Sequence, residues 1–153
     1  PLIHRALPQA RIVVLRRNPL DSILSNFRQL FSTDFSYYQY ALDLAWAAEF
    51  YVEFHRHCER LREMLPADRY MEIWYEELVA DLPAQARRAV DFLSLPWDEA
   101  CLRFQDNQAP VATASSVQVR QPLYSTSVGR WQRYADLLDP AKRILERAGI
   151  DYA

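Results

Sequence analysis

Glycine is nearly absent from this chain: among 153 residues only Gly129 and Gly149 occur. A loop that wraps a phosphate in backbone N–H groups normally needs several glycines, because only they let the chain approach that closely. The sequence therefore contains no P-loop. Lysine is scarcer still, with Lys142 alone among 18 basic residues. Genomic base composition explains that bias, and no functional meaning is attached to it. The formal net charge of −2 provides no global attraction to nucleic acid, and no nucleic-acid partner is expected. Cysteine is limited to Cys58 and Cys101, with neither a disulfide framework nor Cys/His ligand spacing. Metal chemistry is not expected, and the cysteine usage fits a reducing compartment, so the expected location is cytoplasmic. There is no signal peptide and no run of about 18 apolar residues, so this segment is not expected to insert into a membrane.

Half of the residues are apolar and no repeat divides the chain, which is enough for one domain with a sizeable core. The chain begins at Pro1 rather than at methionine, and it is expected to be a piece of something longer. Its densest information lies between Ala10 and Ser25. The β-branched run Ile12 to Leu15 reads as a strand buried on both faces of a parallel sheet. Asn18 is a good N-cap, Pro19 suits the first helical position, and Asp21 falls in the first turn, where negative charge is favoured. Ser25 follows Asn18 by about two turns at ~3.6 residues each, so it shares a face with the cap, and Arg17 at the strand's carboxyl end reaches the same spot. A strand end beside a helix N-terminus is where open α/β sheets bind phosphate, and arginine's planar fork suits the dianion. The alternative is that Arg17 pairs with Asp21 while Ser25 faces solvent.

Elsewhere the pattern predicts the end of a helix before Pro8, a helix from 19 to about 31, an aromatic stretch from Phe31 to Tyr40, and one long amphipathic helix from Tyr40 to Met64. Tyr70 to Trp74 reads as a second strand leading into a polar turn and a helix from Leu82 to Phe92. A short helix at 97–106, an irregular segment from Asn107 to Ser127, and helical pieces at 131–134 and 140–148 complete the chain. This is an α/β pattern, but two strands make a poor sheet, so further strands are expected upstream of Pro1.

Several segments in order resemble the C-terminal half of the sulfotransferases that use 3′-phosphoadenosine 5′-phosphosulfate. Arg17-Asn18-Pro19-Leu20-Asp21-Ser22-Ile23-Leu24-Ser25 is similar to that family's 3′-phosphate-binding strand-turn-helix, with arginine and serine eight apart. Tyr75-Glu76-Glu77-Leu78-Val79 resembles its tyrosine-glutamate segment. Ser115 to Val119, then Pro122-Leu123 and Gly129-Arg130-Trp131, resemble the C-terminal loop of the tyrosylprotein branch. Leu93-Ser94-Leu95-Pro96-Trp97-Asp98 is similar to bacterial members that carry a tetratricopeptide array.

The resemblance implies a fold class of α/β, part of a P-loop-like parallel sheet flanked by helices, with the N-terminal strands and the phosphosulfate loop absent from this chain. Residues 1–153 would form the C-terminal part of a single sulfotransferase domain. It implies that Arg17 and Ser25 hold the 3′-phosphate, that Tyr75 packs on the adenine, and that Arg130 adds a phosphate-facing charge. Ser115 would be the catalytic contact, donating to the sulfuryl group or its bridging oxygen. The implied co-substrate is 3′-phosphoadenosine 5′-phosphosulfate without a metal, and the implied partners are a hydroxyl acceptor and the upstream part of the same polypeptide. The RKG triplet of the small-molecule branch is missing, which tilts the acceptor towards a protein or peptide hydroxyl, with tyrosine the candidate.

Each residue also has a plain structural reading. Tyr75 as a core aromatic, Ser115 as a turn serine, and Arg130 as a cation stacked on Trp131 are the respective alternatives. The phosphosulfate loop and the catalytic base would lie before Pro1. Position 29, an arginine in the tyrosylprotein branch, is Gln29, and the adjacent Arg28 faces about 100° away on an ideal helix. None of His4, His55 and His57 is nominated as a base. Two rival readings of the whole chain are a non-enzymatic helical interaction module and a nucleotide kinase-like ATP-binding domain.

Overall fold

The computed structural model describes residues 2–29, 31–32, 34–107, 109, 120–121 and 123–152. Two parallel strands, β1 (Ile12–Arg16) and β2 (Tyr70–Trp74), pair in register from Ile12 opposite Tyr70 to Arg16 opposite Trp74. Helix α1 (Leu2–Ala6) precedes them, and α2 (Pro19–Arg28) and α3 (Leu44–Met64) cross from one to the other. After β2 come α4 (Tyr75–Ala80), α5 (Leu82–Phe92) and, near the C-terminus, α6 (Asp139–Arg147), joined by 3₁₀ turns that include Arg130–Tyr134 and Asp136–Leu138. Because the strands are parallel, their carboxyl ends lie side by side. Arg17 and Tyr75 both leave the sheet at that edge.

Local chemistry explains most boundaries. Asn18 caps α2, its side chain accepting from Leu20 N at 3.0 Å and Asp21 N at 3.2 Å. Its Nδ2 also donates to the Tyr152 carbonyl at 3.0 Å, tying the C-terminus to the same turn. Helix α3 starts at Leu44 and not at Tyr40 as the apolar spacing suggested. Asp43 is extended and caps it, accepting from Ala45 N at 2.8 Å and Trp46 N at 3.0 Å, while Ser36–Leu42 form a separate 3₁₀ helix. The segment after β2, read as a polar turn, is the short helix α4. The expected helix at 97–106 is a pair of 3₁₀ turns, Glu99–Leu102 and Phe104–Asp106.

The main core joins α2, α3 and α6 through residues such as Leu20, Ile23, Ala48, Tyr51, Leu138 and Leu145. A second cluster of Leu61, Leu65 and Tyr70 receives Ile12 and Val14. The expectation that β1 is buried on both faces is corrected here. Val13 is 40% and Leu15 58% exposed, so alternate residues of the strand meet α3 on one side only.

Arg16 ends β1 pointing inward, 1% exposed. Its guanidinium donates to Glu72 Oε1 at 3.1 Å, lies 2.8 Å from His55 Nδ1, and sits over the rings of Trp74 and Phe54. Glu72 also accepts from Tyr70 at 2.6 Å and from Arg62. Burial opposes the Arg16 charge, and Glu72, helped by the Cys58 and Tyr51 groups, outweighs it, so its pKa lies above the ordinary value.

Candidate functional site

A cavity of about 360 Å³ opens beside the carboxyl ends of both strands. Three arginines, Arg17, Arg28 and Arg130, line it against a single carboxylate, Asp21, whose side chain is fully buried. Ser25, Gln29, Tyr75, Tyr124 and Ser127 complete the polar part of the wall. Thus Arg17, Ser25, Tyr75 and Arg130, chosen from the sequence, border one space, while Ser115 lies outside the described residues. The surplus of positive charge, at a strand end and along the flank of α2, suits an anion.

Arg17 is held from several sides. Its Nη2 donates to the Ser127 carbonyl at 2.5 Å and lies 3.8 Å from Asp21 Oδ2, and the guanidinium sits 5.1 Å from the Tyr75 ring centre. The ion pair with Asp21 offered above as an alternative to phosphate binding is therefore present. It forms part of the cavity wall and does not use up the arginine, because Arg17 Nε is buried without a hydrogen-bond partner. A buried donor left unmade costs about 1–3 kcal/mol. The backbone behind is fixed too, with the Arg17 carbonyl accepting from Tyr51 Oη at 3.0 Å and Asn18 N donating to Glu76 at 2.9 Å.

Tyr75 is the first residue of α4, half-buried at the cavity edge. Burial raises its phenol pKa, so it stands as a neutral hydroxyl. Ser25 is exposed at the opening. Arg130 reaches back along its own turn, its donors at 3.4 Å from the Thr126 carbonyl and from Ser127 Oγ, distances long enough to yield to a better acceptor. Trp131 packs edge-on against Tyr152, ring centres 6.1 Å apart. Arg28 joins the cavity despite the ideal-helix argument against it. Helix α2 ends at Arg28 with Gln29 as its C-cap, and both side chains line the space.

Sequence reasoning also missed what Asp21 does. Beyond favouring the helix N-terminus, its carboxylate accepts from Gly129 N at 2.7 Å and Trp131 N at 2.8 Å. Nothing in the local pattern announces a contact across more than a hundred residues.

Two other spaces bear on the choice of site. A groove of about 730 Å³ along β2 is larger, but its arginines, Arg62 and Arg88, face the carboxylates Glu72 and Glu77, leaving no cationic surplus. An apolar cavity of about 240 Å³ also borders Arg17, walled by Leu15, Tyr40, Phe50, Tyr51 and Phe54. Tyr40 and Phe50 stack there with ring centres 3.9 Å apart. Arg17 thus lines both a cationic pocket and an aromatic one. Among the described residues no group of three or more His, Cys, Asp or Glu side chains could hold a metal, and no helix is long and apolar enough to cross a membrane.

Comparison with known proteins follows the same line. A family model described as sulfotransferase family matches residues 1–99. A protein of Aquifex aeolicus (strain VF5), described as uncharacterized, is 32% identical over 145 residues, which cover 95% of this chain. The chain spans only 19% of that relative's length.

Proposed function

Because this chain belongs to the sulfotransferase family, we propose that its cationic cavity holds the 3′-phosphate of 3′-phosphoadenosine 5′-phosphosulfate in an enzyme that sulfates a hydroxyl acceptor. The observation that carries this reading is the convergence of Arg17, Arg28 and Arg130 on one space. The residues fit the group: a dianionic phosphate matches the charge surplus, Ser25 offers a hydroxyl beside it, and Tyr75 offers a neutral ring face for the adenine. Ser115 is proposed as the donor to the sulfuryl group. When bound, the nucleotide supplies an activated sulfuryl group, and the protein's part is to hold donor and acceptor in line and to offset negative charge.

In this reading the chain provides the 3′-phosphate and adenine side of the site, while the upstream part of the same polypeptide provides the phosphosulfate side and the base. Residues 1–153 alone then bind nucleotide but do not turn over. Protein tyrosine is the proposed acceptor, as in the tyrosylprotein branch, and the tetratricopeptide-linked members are the proposed nearest kin. Support for an aromatic acceptor comes from the second cavity, which is lined by aromatic rings and shares Arg17 with the cationic one.

Titration of adenosine 3′,5′-bisphosphate against the full polypeptide tests the proposal. One charge-assisted contact contributes about 1.5–3 kcal/mol, so Arg17→Ala should weaken saturable binding by roughly 10- to 150-fold. Equal affinity in parent and variant refutes it. Preference for ATP would point instead to a kinase-like domain, and a folded sample that binds no nucleotide would point to an interaction module.

A further inference from the structure

We infer that Asp21 is a positioning residue, whose carboxylate fastens the Gly129–Trp131 turn to α2 and thereby sets Arg17 and Arg130 for a phosphate. The inference rests on the reading of the cationic cavity as a 3′-phosphate site. The cavity has two walls that are distant in sequence. Ser25 and Arg28 come from α2, whereas Tyr124, Ser127 and Arg130 come from the segment ending at the Gly129–Trp131 turn. Asp21 joins them, and both its oxygens are engaged: Oδ2 accepts from Gly129 N at 2.7 Å and Oδ1 from Trp131 N at 2.8 Å.

Asp21 is 1% exposed, and its surroundings are matched to a carboxylate. It sits in the first turn of α2, takes two backbone N–H bonds, and lies 3.8 Å from Arg17 Nη2. That last distance is an ion pair rather than a hydrogen bond. Asp21 therefore biases where the guanidinium sits without consuming its donors, and Nη2 goes to the Ser127 carbonyl on the same turn. Gly129 makes the turn feasible. Its φ of +64° is one that side-chain-bearing residues rarely adopt, and it is this conformation that presents the Gly129 N–H to Asp21. Asp21 is not itself a ligand, because an acceptor-only group behind an anion site can act only through its neighbours.

The test compares two nucleotides, adenosine 3′,5′-bisphosphate and adenosine 5′-phosphate, which differ in the 3′-phosphate alone. In Asp21→Asn the amide nitrogen opposes one of the two backbone N–H groups and the ion pair is lost. The full polypeptide carrying it should bind the bisphosphate at least tenfold more weakly while its affinity for adenosine 5′-phosphate changes less than twofold. A purely structural role would weaken both alike, and that result, or an unchanged ratio, overturns the inference. Gly129→Ala strains the same turn without touching the buried carboxylate and should lower the ratio in the same direction. Should Asp21→Asn not fold, Gly129→Ala and hydrogen exchange in the unsubstituted protein decide. Slow exchange at the Gly129 and Trp131 amides is expected, and fast exchange at both overturns the inference. If the unsubstituted polypeptide shows no preference for the bisphosphate, the 3′-phosphate reading itself has failed, and that is visible before any variant is made.

Discussion

Replacing Arg16 with methionine probes the buried charge network that ends β1. The Arg16 side chain is fully buried and its main partner Glu72 is 9% exposed. Removing one partner of a buried pair costs about 3–5 kcal/mol when the other charge is left alone. Glu72 is not left alone, since Tyr70 still donates to Oε1 at 2.6 Å and Arg62 to Oε2. Methionine keeps much of the aliphatic stem but gives up the cation contacts to Trp74 at 5.0 Å and Phe54 at 5.6 Å, up to about 2 kcal/mol each for a desolvated cation. The retained Glu72 partners and the lost ring contacts offset each other, so the expected loss is about 3–5 kcal/mol. In urea denaturation followed by circular dichroism this moves the midpoint down by roughly 1 M or more for ordinary slopes. Arg62→Met serves as the control. Its side chain is 51% exposed, so losing the Arg62–Glu72 pair should cost less than about 1 kcal/mol. Adding Glu72→Leu to Arg16→Met should recover about 1 kcal/mol or more, because an uncharged buried pair has no desolvation penalty left to offset. The reasoning is refuted if Arg16→Met and Arg62→Met destabilise equally.

The same network makes stability depend on pH through His55, whose pKa is depressed by burial and then by the Arg16 charge 2.8 Å away. The native state holds this ring neutral, so as pH falls through about 6.5 the unfolded chain takes up the proton first and stability declines until the depressed native value is reached. His55→Gln should flatten denaturation midpoints between pH 7.5 and 5.5, and an unchanged slope would remove His55 as its source. At Asn18 two substitutions separate two roles. Asn18→Ala loses the cap and the bond to the Tyr152 carbonyl, about 2 kcal/mol together, whereas Asn18→Asp keeps the cap and loses about half of that. Equal thermal destabilisation by the two would refute the division.

Features whose partners lie within a few residues could be read directly. Asn18, Pro19 and the first turn of α2 are one such unit, and the two strands with their parallel α/β connection are another, since β-branched runs and caps act locally. The start of α3 was local as well, but the apolar spacing through Tyr40 masked the Asp43 cap. The one-sided burial of β1 was not legible, because an apolar run records what a strand can bury and not which neighbours cover it. For the site, Arg17, Ser25, Tyr75 and Arg130 were nominated from residue types and a family resemblance, and the fold puts them around one cavity.

What the sequence determined by itself is a capped strand-turn-helix with an arginine at its corner, because propensity, capping and helix dipole all act over one or two turns. What only the tertiary structure decided is how that corner is completed. Asp21 reaches Gly129 and Trp131 across 108 and 110 residues, and Arg28 turns into the cavity where α2 ends. Hydrogen bonds between segments so far apart depend on how the core of α2, α3 and α6 packs, and no local pattern encodes them.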